Sequence, residues 1–265
     1  MLATPLAPLG RFAALAVTCG ALLSPPSAPV TPPATLGAPL ICFPLEVADE
    51  SLLPFESGDE AKPTVALAEL PVVLARRFAA HADPLLHMEA LRRTALALPN
   101  DPVAQPGSSA AAQPTHYARL LTALEAAVVA AELLPTVDPA TPARRALAWF
   151  DLGYAREVGA TMGLTRERGG ACLAKACQLQ PDAALLRFGT AMVAFQEECI
   201  ERPIDPSGAP ISAGDWRDHL RHAMVGTPSP LLSRNLVATF GAFLDHSSLE
   251  ALRAAVVSGV DSRDR

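Results

Sequence analysis

At 265 residues the chain has room for one sizeable domain or a short array of repeats, and not for two large domains. A formal net charge of -6 with no basic cluster argues against a nucleic-acid surface, which needs positive charge to displace the counterions of phosphates. Hydrophobic residues make up 50%, but much of that share is alanine, which favours helix and close packing while burying little area per residue.

Residues 1–28 read as a secretory signal peptide. Arg11 opens it, an apolar run from Phe12 to Leu23 forms its body, and Ser24-Pro25-Pro26 closes it. The run is too short to cross a bilayer as a mature helix. The expectation is an exported protein, periplasmic or extracellular, with no stable membrane span once the leader is removed. Lipidation at Cys19 is an alternative, although Ala16-Val17-Thr18 fit a lipobox poorly. Residues 29–62 follow as a Pro-rich linker and an acidic extended strap. In the strap, Phe43, Leu45, Leu53 and Phe55 are expected to reach the helical body. Glu46, Asp49, Glu50, Glu56, Asp59 and Glu60 lack the spacing of a calcium loop and are expected in solvent.

Apolar periodicity and start signals place helices at about 64–80, 83–98, 115–134, 141–162, 168–180, 183–199, 213–226, 230–245 and 248–258. Asp83-Pro84 and Thr141-Pro142 each pair a side-chain cap with proline at the first helical position, and Ser247-Ser248-Leu249-Glu250 reads as a capping box. Pro71 should kink or split the first helix. No segment alternates strictly as a half-buried strand does, so the fold class is all-α. Residues 63–258 form the helical domain, and 259–265 are expected to be a disordered tail.

Trp149, Leu152 and Gly153 stand in W-x2-L-G order, and Leu173, Ala176 and Pro181 follow within ACLAKACQLQPD. These residues resemble the opening and closing halves of a tetratricopeptide repeat. The span from Trp149 to Pro181 exceeds the pattern by about four residues, around Thr161 to Gly170. WRDHLRHAMVGTP, from Trp216 to Pro228, repeats the closing half. The resemblance implies stacked helical hairpins in a right-handed solenoid, a scaffold that binds a protein or peptide partner at the cell envelope, and its motifs say nothing about activity. It implies that Trp149 packs on Leu173 inside the hairpin. It also carries the partner-binding positions onto Phe150, Tyr154 and Glu157 in one helix, and onto Leu185, Phe188, Met192 and Phe195 in the next. An apolar stripe at this spacing is more often core than groove. ICFPLEV and MEALRRTALAL are similar to parts of uncharacterised exported bacterial proteins, a likeness that implies no mechanism.

Chemistry has few candidates. His219 and His222 share a helical face, a geometry that metals use, and distant carboxylates would have to complete a metal site or an enzyme centre there. The other reading is a polar surface beside Arg217 and Arg221. Without the leader, Cys42, Cys172, Cys177 and Cys199 remain, as disulfides in an oxidising compartment or as small buried thiols. Cys172 and Cys177 diverge on one helix and are not expected to bridge each other. The chain lacks a phosphate-binding G-x-x-x-x-G-K-[ST] loop, H-E-x-x-H and G-x-S-x-G. No cofactor is expected, and binding is favoured over catalysis.

Overall fold

A computed structural model describes residues 43–58, 61–98, 115–198 and 215–258. The expected signal peptide, most of the expected linker, the expected tail, Cys19, Cys42 and Cys199 lie outside the described residues.

The described residues are helical without strands, joined by one isolated backbone bridge between Phe55 and Pro63. The helices are α1 (Leu70–Ala80), α2 (Pro84–Ala97), α3 (His116–Glu132), α4 (Thr141–Thr161), α5 (Gly170–Leu179) and α6 (Ala184–Gln196). They continue as α7 (Trp216–Ala223), α8 (Pro230–Leu236) and α9 (Leu249–Ser258). A π-helical turn, Val237–Gly241, and a short helical piece, Ala242–Leu244, extend α8.

Helix starts follow local chemistry. Asp83 accepts the Leu85 N–H as the cap of α2, with Pro84 in the first turn. Ser248 does the same for the Ala251 N–H at α9. Pro71 neither kinks nor splits a helix: α1 begins at Leu70, so proline occupies a first-turn position where its missing N–H costs nothing. Thr141 is not a cap. It is the first residue of α4, and its hydroxyl donates instead to the Pro135 carbonyl at 2.7 Å.

The 21-residue α4 is the hub, packed against α2, α3, α5 and α6. Its contact with α5 is a close backbone approach: a Cβ on Gly169 would stand 1.9 Å from the Gly153 carbonyl oxygen. Leu173 is fully buried there and lies against Gly153. Trp149, expected to pack on Leu173, is half-buried and donates its indole N–H to Glu132 of α3 at 2.7 Å. An aromatic cluster closes the C-terminal half, with Phe195 edge-on to Trp216 at 5.0 Å and to Phe240 at 5.7 Å.

The strap binds both ends of this body. Leu45, Leu53 and Phe55 are buried, and Phe43 meets Phe243 at 5.2 Å. The Leu45 N–H donates to Glu89 of α2, whose carboxylate also accepts from Arg92 and Arg93. Four donors on one fully buried carboxylate satisfy a charge that would otherwise be costly to desolvate. At the other end, 189 residues away in sequence, the Asn235 side chain accepts the Glu46 N–H at 2.8 Å and donates to the Glu46 carbonyl at 2.9 Å. Arg234 grips the Glu46 carboxylate with two bonds of 2.6 Å.

Candidate functional site

The partner-binding residues expected from the repeat resemblance are core. Phe150, Tyr154, Phe188 and Met192 are each 0% exposed and Glu157 is 1% exposed. A groove at these positions needs a free face on α4, but α4 is covered by α2, α3, α5 and α6. Phe150 stacks on Tyr154 at 5.7 Å, and its ring occupies the space that a side chain on Gly189 would need. No groove exists at these positions.

Glu157 instead acts as a latch between helices. Its carboxylate accepts the Gly169 N–H at the start of α5 and pairs with Arg168 at 3.0 Å; the same arginine reaches Glu197 at 3.3 Å. Burial, stronger than the pull of Arg168 and of the backbone N–H, pushes the Glu157 carboxyl up to about 7.

His219 and His222 also separate. His219 is buried and its Nδ1 accepts from Arg187 at 3.0 Å, while His222 is exposed and its Nδ1 meets the Asp218 carbonyl at 2.8 Å. Arginine always donates, so the His219 Nδ1 lone pair is occupied. Among the described residues no three His, Cys, Asp or Glu converge as metal ligands. Cys172 and Cys177 are buried free thiols.

Among the described residues an open cleft of about 750 Å³ is walled by α1, α3 and α4. α1 contributes Ala75, Phe78 and Ala79, α3 contributes Ala123, Ala127, Ala130 and Ala131, and α4 contributes Leu147 and Ala148. Nine of the sixteen described lining residues are alanine, which is why helices in contact leave a hollow between them. Its polar lining is His81, Arg144 and Asp151.

Beneath the floor, Asp151 holds a buried histidine. His87 Nδ1 lies 2.9 Å from both Asp151 carboxylate oxygens, and Nε2 lies 2.9 Å from the His81 carbonyl oxygen. A carbonyl only accepts, so Nε2 carries a hydrogen. Phe78 stacks on the ring at 4.1 Å, closing it from the cleft side of α1. Burial opposes a charged imidazole, but the Asp151 carboxylate outweighs it and His87 holds its proton above the ordinary histidine range. Burial likewise raises Asp151. A protonated His87 and the Asp151 carboxylate balance each other's charge. Both histidine nitrogens are engaged, and the described lining contains no serine, threonine, cysteine or lysine to act as a nucleophile.

One signal for the cleft is present in the sequence: Ala123, Ala127, Ala130 and Ala131 recur on one helical face. The His87–Asp151 pair, 64 residues apart, has no local signature. No family model, curated protein or solved structure gives a significant match to the chain.

Proposed function

We propose that this protein is an exported helical-repeat scaffold that binds a protein or peptide partner, with the alanine cleft as its site. One observation carries the reading: the cleft runs out onto an exposed, uncharged helix face. On α3, Ala126, Val129, Ala130 and Leu133 recur three and four residues apart, and all are exposed, Val129 by 61% and Leu133 by 80%. Val137, beyond the helix, is 90% exposed. The two glutamates of this stretch turn away: Glu125 pairs with Arg156 and Glu132 takes the Trp149 indole N–H. Single exposed apolar side chains are ordinary, whereas a contiguous apolar strip marks an interaction surface. A small-molecule cleft has no need of apolar surface outside its mouth; a peptide does.

The α4–α5 hairpin is, in this reading, one tetratricopeptide-like unit serving as scaffold. Export is supported by Arg11 and the apolar run from Phe12 to Leu23, and N-terminal sequencing of the native protein tests it. Finding Met1 retained in a cytoplasmic fraction would overturn that part.

Binding is tested by selecting peptides from a random library on the purified protein, then measuring them against Ala127→Trp. Ala127 lines the cleft and is exposed, so an indole there fills the cleft without entering the core. Selected peptides should lose at least about tenfold in affinity, the effect of blocking a central contact. Equal binding to the filled variant would overturn the site.

A further inference from the structure

We infer that the segment taken up by the cleft is an apolar peptide flanked by acidic residues, read by a rim of Arg76, Arg119 and Arg144. The inference rests on the proposed peptide-binding reading and specifies the chemistry of the partner.

The floor supplies no net charge. Asp151 is the one carboxylate in the described lining, and His87 neutralises it from below through contacts of 2.9 Å. The rim is cationic. Arg144 lines the mouth with its side chain 61% exposed, and its ion pair with Asp138 is long, 3.6 Å. Such an exposed pair contributes little and is readily exchanged for another carboxylate. Arg119 is exposed and stands four residues before Ala123, one turn along the cleft face of α3. Arg76 is exposed and shares a face of α1 with the lining residues Ala79 and Ala80. Neither Arg76 nor Arg119 has an ion pair among the described residues.

Two acids of α3 are committed elsewhere, Glu125 to Arg156 at 2.8 Å and Glu132 to the Trp149 indole at 2.7 Å, which leaves the long Asp138 contact as the acid on Arg144. A chain with a net charge of -6 thus presents a locally positive mouth around an apolar hollow. Charge around an apolar contact selects partners and speeds their encounter. Acidic flanks complement this mouth, and basic flanks would be repelled by its arginines.

The test uses the full chain and two synthetic helical peptides with the same leucine and alanine face, one flanked by glutamates and one by lysines. Binding is followed by fluorescence anisotropy at low and physiological salt. The acidic peptide should bind at least about tenfold tighter at low salt, with the gap narrowing as salt screens the rim. In Arg76→Gln/Arg119→Gln/Arg144→Gln the gap should fall below about threefold, and these exposed positions leave the core untouched. Equal affinities, or preference for the basic peptide, with both lost in Ala127→Trp, would overturn the acidic flank while the peptide cleft stands. No binding of either peptide would overturn the peptide reading itself. Binding of sodium dodecanoate, blocked by Ala127→Trp, without peptide binding would assign the cleft to a small amphiphile and overturn both.

Discussion

Replacing Glu157 with glutamine should flatten the dependence of stability on pH. The carboxyl is 1% exposed, and burial lifts its pKa from 4.5 to about 7 in spite of Arg168 and the Gly169 N–H. In the unfolded chain it titrates near 4.5. Between those two values the folded state holds more protons than the unfolded state, so stability falls as pH rises. The contribution is complete below 4.5 and gone above about 7. A shift of this size is worth roughly 3 kcal/mol, a sizeable fraction of a domain's net stability. His87 adds a slope of the same sign, because a histidine with a raised pKa stabilises at low pH and loses that contribution as pH rises through its folded value. Glutamine can still accept the Gly169 N–H but does not titrate. Urea unfolding at a series of pH values from 4.5 to 8 should therefore show the wild type losing roughly 3 kcal/mol more than Glu157→Gln. Parallel profiles would refute the latch as the source of the slope.

Phe150→Ala should cost about 3–5 kcal/mol in urea unfolding, since its fully buried ring fills the space beside Gly189; a loss below about 1 kcal/mol would put the ring outside the core. Gly169→Ala should cost about 2 kcal/mol or more by calorimetry, because its Cβ meets backbone at 1.9 Å. Gly163→Ala, with nothing within 4 Å but a φ of +69°, should cost only about 1 kcal/mol. His87→Ala should destabilise by about 3–5 kcal/mol by stranding Asp151, and adding Asp151→Asn should recover part of that loss. A double variant no more stable than His87→Ala would show that the stranded charge is not the cause.

The all-α class and most helix positions were legible because they depend on local signals. Asp83-Pro84 marked the start of α2 as the structure has it, and even Pro71, read as a kink, was a start signal misplaced by several residues. What could not be read was which face of each helix meets which neighbour. Phe150, Tyr154 and Glu157 looked like one face of an amphipathic helix, and periodicity cannot say that α4 is enclosed by four other helices. Trp149 took its expected role from a repeat pattern, yet the indole points to Glu132, a partner 17 residues earlier. The cleft has no clear sequence signature because alanine serves equally in a tight helix contact and on a surface. Its position followed from α1 packing on α3, a pairing that skips α2.

The strap sets an order on the birth of the fold. A ribosome delivers Glu46 long before Arg234 and Asn235, its partners across 188 and 189 residues. Until they arrive, nothing at that end can receive the strap, and Leu45, Leu53 and Phe55 have only part of their final cover. Contacts so distant in sequence close slowly and late. The molecule is therefore built to remain unlatched through most of its synthesis and to lock in one final step.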